Sequence, residues 1–275
     1  MTEAPDQPAV ELAHDIRGRG TPIVLLPGTG YSGSTWPASL VDGLAADHTV
    51  ITPDYRGTGR TPSTDSPYST RLFAADVAAL LRQLGTGPAH VLGHSMGGRV
   101  AQWVALDAPE LVRSLVLAAS GPGGPPPTSG QAVGIPLEAG LELIEHGYER
   151  YMRRQITSTF FTPDFVERDP TTVDGLIAAF WDHRPSLRDY LKHVIARQAH
   201  STRDRLADIR QPTLVLVGDE DTHVGGTGSH LEQSRFLAAT LPNARLHVIA
   251  GARHGNFWQF PDQSLAAVRA FLIEA

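Results

Sequence analysis

Gly93-His94-Ser95-Met96-Gly97 is the stretch whose reading decides the fold. It is a G-x-S-x-G pentapeptide, and its setting matters more than its letters. The apolar run Ala89-His90-Val91-Leu92 leads into it, and helical spacing of Val100, Trp103, Val104 and Leu106 leads out. A strand that turns straight into a helix lifts a serine onto a tight, strained corner. A Cβ at position 93 or 97 would collide with neighbouring backbone, which is why such a corner needs glycine. The helix N-terminus also aims free N–H groups at any anion formed beside Ser95.

The same alternation continues in both directions. Ile23-Val24-Leu25-Leu26, Thr49-Val50-Ile51-Thr52, Ser114-Leu115-Val116-Leu117-Ala118, Thr213-Leu214-Val215-Leu216-Val217 and Arg245-Leu246-His247-Val248-Ile249 are short apolar runs. Runs of this length, closed by Gly or Pro, predict strands buried on both faces. Leu72, Ala75, Val77, Leu80 and Leu84 have helical spacing, as do Leu265, Val268, Phe271 and Leu272. The expected fold class is α/β, with a mostly parallel central sheet flanked by helices. The alternation breaks at Gly121-Pro122-Gly123-Gly124-Pro125-Pro126-Pro127, which can be neither helix nor central strand. Helical patterns at 137–156 and 186–200 follow. We read residues 121–205 as a helical insertion into a core made of 1–120 and 206–275.

A serine hydroxyl is a weak nucleophile and needs a base, and the base needs an orienting acid. Among 12 histidines, His254 follows the last predicted strand. Loops after parallel strands converge on one edge of the sheet, where such sites form. His247 lies inside that strand, His94 is expected to be turned elsewhere by the elbow, and His223 and His230 read as loop residues. His193 and His200 share a helix face at best, so no metal site is expected there. The acid should follow another strand. Gly218-Asp219-Glu220-Asp221 offers three choices, with Asp221 preferred and Asp219 second. Oxyanion charge needs fixed donors; the backbone N–H groups of Met96 and of Thr29, in Pro27-Gly28-Thr29-Gly30, are the candidates.

Across nearly its whole length the chain resembles the α/β-hydrolase superfamily. The resemblance rests on Leu25 to Gly30 with Trp36, on Asp54-Tyr55-Arg56-Gly57-Thr58-Gly59, on Gly93 to Gly98, on Pro212 to Asp221, and on Arg253-His254-Gly255. It implies Ser95 as nucleophile, Asp221 as acid, His254 as base, and Thr29 and Met96 as oxyanion donors. It also implies that the insertion is a cap over the pocket. The order Ser95, Asp221, His254 is the order expected on this fold. Two departures stand out: Pro27 replaces the frequent histidine before the oxyanion glycine, and Val224-Gly225-Gly226-Thr227-Gly228 replaces a Pro-containing apolar stretch after the acid. Ser95 argues against the epoxide hydrolases and haloalkane dehalogenases, which place Asp there. At Ala101-Gln102-Trp103 and Asp208 to Thr213 the chain is most similar to the enol-lactonase and carboxylesterase branch.

The expected activity is cleavage of a small carboxylic ester or lactone through an acyl-enzyme, without metal or organic cofactor. C–C bond hydrolases and cofactor-free perhydrolases or haloperoxidases share the triad. A non-catalytic receptor on the same fold is the alternative of another class. Phe160, Phe161, Trp181 and Tyr190 are the expected pocket residues, with Met152 and Phe165 nearby in the sequence. His183, Arg184, Arg188 or Arg197 could meet a substrate carboxylate.

A competing motif is Gly28-Thr29-Gly30-Tyr31-Ser32-Gly33, a G-x-G-x-x-G after a strand, with Asp54 about 20 residues later as a ribose-binding acid would be. A dinucleotide site must open its helix within the glycines. Here Ser34 or Thr35 reads as the N-cap and Pro37 as the first turn, too late for a pyrophosphate.

Composition agrees with these readings. The chain has 275 residues, 41% hydrophobic, with 23 basic and 29 acidic side chains and a net charge of −6. That length suits one large α/β domain or two small ones. Mild acidity disfavours nucleic acid. The absence of cysteine excludes disulfides, thiolate metal sites and a cysteine nucleophile. No apolar run approaches the roughly 20 residues that span a bilayer. Met1 to Val10 has neither a basic start nor an apolar run, so no targeting segment is predicted. The expected setting is cytoplasmic, with a small molecule as partner; oligomeric state is not legible.

Overall fold

The computed structural model describes residues 7–124, 137–222 and 229–275. The predicted strands all form: β2 (Thr21–Leu26), β3 (His48–Pro53), β4 (Ala89–His94), β5 (Val112–Ala118), β6 (Thr213–Gly218) and β7 (Ala244–Ile249). A further strand, β1 (His14–Arg17), precedes them. The sheet order is β1-β3-β2-β4-β5-β6-β7. Only the β1–β3 pair is antiparallel.

From β2 the chain steps outward to β3 and then returns across β2 to β4. That reversal is the switch point of the sheet, where loops after adjacent strands diverge and leave a crevice. Register places Leu26 beside Gly93, and Gly93 beside Leu117. The loops after β2 and β4 therefore leave the sheet at the same level.

Helices cover both faces. Helices α2 (Thr70–Leu84), α3 (Met96–Asp107) and α8 (His230–Thr240) bury Phe73, Val77, Val100 and Leu237 in one core. Helices α1 (Ala38–Ala45) and α10 (Pro261–Glu274) bury Leu40, Leu44, Val268 and Phe271 in the other, with the short α9 (Asn256–Gln259) between β7 and α10. The sequence sets several helix ends. Ser69 Oγ accepts the Leu72 N–H at 3.0 Å to start α2, and Gly85 ends it at φ 61°. Ser229 and Glu232 form a capping box that starts α8.

Between β5 and β6 run α4 (Leu137–Phe160), α5 (Pro163–Arg168), α6 (Pro170–Asp182) and α7 (Leu187–Gln198). The pattern at 137–156 belongs to α4, which is broken at Gly147 (φ 80°, ψ 166°) into two helical stretches. The far end of this excursion returns to the core through a bridge between Gly123 and Ser201.

Three expectations need correction. β7 is not buried on both faces: it is an edge strand, and Arg245, Leu246, His247 and Val248 are all exposed. β1 was not foreseen, because a four-residue, mostly exposed edge strand has no apolar run to betray it. Ser34 and Thr35 do not cap α1; they lie in a 3-10 turn, Gly33–Thr35, and Pro37 takes the N-cap position. The helix thus starts later still than the competing dinucleotide reading requires. Asp54, its candidate ribose acid, instead accepts the Gly33 N–H at 2.8 Å and the Arg60 N–H at 3.0 Å. It ties two loops together.

Candidate active site

β4 ends at His94 and α3 begins at Met96, so Ser95 makes the whole turn. Its backbone sits at φ 54°, ψ −116°, a conformation that costs about 1–3 kcal/mol and persists only where its surroundings enforce it. Here they do. The Ser95 N–H donates to Ala118 O at 2.8 Å, and Ser120 Oγ–H donates to Ser95 O at 2.7 Å. A Cβ on Gly97 would fall on the Leu26 carbonyl, and one on Gly93 would fall on the Gly97 backbone. β2, β4 and β5 thus hold the corner from three sides.

His254 lies in the loop between β7 and α9, and Asp221 just beyond β6. The His254 Nδ1–H donates to Asp221 Oδ2 at 2.9 Å, with both side chains buried. Burial raises the Asp221 carboxyl, but the electrostatic pull and hydrogen bonds of His254 and His230 outweigh it and hold the group well below the usual carboxylate range. Asp221 is therefore ionised and accepts only, so the proton sits on Nδ1 and the Nε2 lone pair of His254 is left for chemistry. Asp219 does something else: exposed to solvent, it accepts the Gly251 N–H at 2.7 Å and shapes the turn after β7.

Ser95 Oγ makes no hydrogen bond among the described residues. Neither do the N–H groups of Thr29 and Met96. Met96 is the first residue of α3, where an N–H has no intrahelical acceptor. The two loops meet here, since a Cβ on Gly28 would lie 3.5 Å from Ser95 Cβ.

His94 is not turned away from this centre. Its Nε2–H donates to the His254 carbonyl at 2.8 Å, and the two rings lie 4.8 Å apart. Burial and the neighbouring His254 lower its pKa to about 3, so it is a neutral prop under the His254 loop. His230 is likewise more than a loop residue: it opens α8, and its Nδ1–H donates to Asp221 Oδ1 at 3.0 Å. Asp221, His230 and His254 bring potential metal-ligand atoms within 4.8 Å of one another. Both Nδ1–H groups are already engaged by the carboxylate, so a metal there would have to displace both bonds. His223 and the stretch 224–228 lie outside the described residues.

A family model described as the alpha/beta hydrolase fold matches residues 21–261. The chain belongs to the α/β-hydrolase fold family. A Mycobacterium tuberculosis protein named as a candidate non-heme bromoperoxidase, BpoC, is 43% identical over 273 residues, covering 95% of this chain and 97% of that one. A 2-hydroxy-6-oxononadienedioate/2-hydroxy-6-oxononatrienedioate hydrolase of Burkholderia vietnamiensis is 31% identical over 260 residues, 91% of this chain and 86% of the relative. The enol-lactonase from Burkholderia xenovorans LB400 shares the fold, with a TM-score of 0.81 at 24% identity over 95% of this chain and 96% of that one. The family and its named hydrolases make this chain a hydrolytic enzyme.

In this α/β hydrolase the helical excursion bears directly on the site. The His254 N–H donates to Thr159 O at 3.3 Å and the Gly255 N–H to Phe160 O at 2.9 Å. The Phe160 ring stands edge-on to His254 at 5.3 Å and lies 5.5 Å from Tyr31. Tyr190 packs over Gly30, where a Cβ would lie 2.7 Å from its ring. Of the expected pocket residues, Phe160 and Tyr190 are thus against the site loops. The Phe161 ring stacks on Phe165 at 5.3 Å while its carbonyl accepts from Arg253 Nη1–H at 3.1 Å, and Trp181 packs on Tyr148 and Phe180 under Arg184. Their rings fill the excursion's own core. Tyr31 of the loop after β2 packs on Phe180 of α6, their rings 5.3 Å apart. The Arg197 carbonyl accepts from buried Arg99 at 2.5 Å; the side chains of Arg197, His183, Arg184 and Arg188 make no hydrogen bond or ion pair with the site loops among the described residues. His193 and His200 are core residues: His193 Nε2 is hydrogen-bonded to Arg56 O, and His200 to Thr70 and Thr202.

Proposed function

We propose that this hydrolase cleaves a small carboxylic ester or lactone with Ser95 as nucleophile, His254 as general base and acid, and Asp221 as orienting acid. The observation that carries the reading is the buried 2.9 Å bond from His254 Nδ1–H to Asp221, beside a serine held on a strained corner. Substrate binding closes the bond from Ser95 Oγ to His254 Nε2; such bonds are commonly long or open before the substrate arrives. As Oγ attacks the carbonyl carbon, its proton passes to Nε2. The oxyanion is met by the free N–H groups of Thr29 and Met96, whose worth is greatest in a site that excludes water. His254 then protonates the leaving alkoxide, and the acyl-enzyme forms. Water, deprotonated by His254, attacks the acyl carbon and releases Ser95 and the acid. With a lactone, alcohol and acid remain in one product.

Residues 121–205 act as the cap in this reading. Phe160 and Tyr190 reach the base loop and the oxyanion loop from it, so substrate size is set by the cap. The partner is a small molecule, and a chain without cysteine suits a cytoplasmic setting. The Burkholderia relative's name keeps C–C bond hydrolysis as the second reading, with the same triad.

The test is a panel of 4-nitrophenyl acetate and butyrate, a five-membered lactone and a vinylogous 1,5-diketone acid. Ester or lactone turnover is expected, falling below about one per cent in Ser95→Ala. Turnover confined to the diketone acid would move the assignment to C–C cleavage. Activity that survives Ser95→Ala would remove the mechanism.

A further inference from the structure

Asp221 is held by two imidazoles rather than one. His254 Nδ1–H takes Oδ2 at 2.9 Å and His230 Nδ1–H takes Oδ1 at 3.0 Å, and the two rings lie 4.4 Å apart. The His230 side chain is only 13% exposed, and the capping box of Ser229 and Glu232 sets it at the first position of α8. A triad needs only one of these bonds, so the second requires its own account.

We propose that His230 is a positioning residue for the triad: it fixes the rotation of the Asp221 carboxylate and shares its charge, so that Oδ2 stays aimed at His254. This rests on the Ser95–His254–Asp221 reading. Two physical consequences follow. A carboxylate with one oxygen pinned cannot swing away from the base, so the His254 tautomer is kept through the cycle. A carboxylate that already gives one oxygen to a donor also attracts the imidazolium less strongly. His254 therefore passes its proton to the leaving group more readily.

His230 must stay neutral to play this part, and its surroundings see to it. Burial, helped by His254 and by Arg99 of α3, outweighs the pull of Asp221 and lowers its pKa to about 4. His94, on the other side of His254, is also neutral, lowered to about 3 chiefly by burial. Among the described residues, the charged groups that act on His230 at neutral pH are Asp221 and Arg99, and Glu232 on its own helix is turned to Ser229.

Two substitutions separate the donor from the ring. His230→Asn keeps an N–H near the place of Nδ1 without the ring; His230→Phe keeps the ring without the donor. Both are assayed by 4-nitrophenyl acetate hydrolysis across pH and by thermal unfolding. His230→Phe is expected to lose about tenfold in kcat with KM nearly unchanged, the worth of one hydrogen bond to a charged group. Its acid limb of kcat/KM should move up by roughly half a pH unit or more, because Asp221 is left to the imidazolium alone. His230→Asn should recover most of both. Wild-type values in His230→Phe would overturn the assignment. So would a folded His230→Asn as impaired as His230→Phe, since only packing would then matter. Loss of turnover in Ser95→Ala with no response at position 230 sinks this inference alone. Turnover indifferent to Ser95 sinks the triad reading, and this inference with it.

Discussion

Asp219 and Asp221 stand two residues apart and do different work. Asp221 is buried between two histidines, whereas Asp219 is exposed and braces a turn. Replacing Asp221 by Asn removes the charge that stabilises the imidazolium and offers an N–H where His254 needs an acceptor. A fall in kcat of about 10⁴ is expected. Asp219→Asn keeps an oxygen for the Gly251 N–H and should stay within about threefold of wild type. Steady-state kinetics of the two variants check this, and the reverse ranking would reassign the acid. Chain order alone does not choose between Asp219 and Asp221, since both follow β6 and precede His254; burial, which separates the two carboxylates, is not legible in the sequence. His230 was missed because its partner lies nine positions away, across a loop. The usable signal was Ser229-His230-Leu231-Glu232, a capping-box pattern that puts His230 at the start of a helix just after the acid.

Elements were legible where periodicity and burial agreed. β2, β4, β5 and β6 are apolar runs because neighbours cover both faces, so the sequence carries their signature. β7 has a similar run and lies at the edge, where only the pairing partner tells the difference. The glycine-rich loop after β2 was expected to open its helix too late for a phosphate; the helix starts later still, because a 3-10 turn intervenes. Aromatic residues of the excursion were the least legible. Phe160 and Phe161 are adjacent in sequence, yet one faces His254 and the other its own helical neighbours. Which of two adjacent rings faces the site depends on how α4 ends, at a position only tertiary packing determines.

At the scale of the whole molecule, the crossover from β3 back to β4 brings three loops to one crevice, with neutral His94 and His230 beside it, while His90, His193 and His200 are buried and neutral elsewhere in the core. Burial is the first cause in each case: His90 and His193 are lowered to about 4, His94 to about 3, His230 to about 4, and His200 well below its ordinary value. The unfolded chain binds protons at these sites from about pH 6.5 downward, while the folded chain does not until about pH 4 or below. Their stabilisation is therefore full above about pH 6.5 and is lost as the pH falls, by about 1.4 kcal/mol per histidine per pH unit. Asp221 adds nothing in that window, since a depressed carboxyl loses its contribution only below its unfolded value near 4. Thermal unfolding should show Tm dropping steeply between pH 6.5 and 4.5; a constant Tm there would contradict this. The central claim concerns Ser95, and labelling by a fluorophosphonate, with the modified peptide mapped by mass spectrometry, tests it most directly. The account predicts modification of the wild-type enzyme at Ser95 and its loss in His254→Ala. A folded wild-type protein that stays unlabelled, or a label that persists on Ser95 without His254, would contradict it.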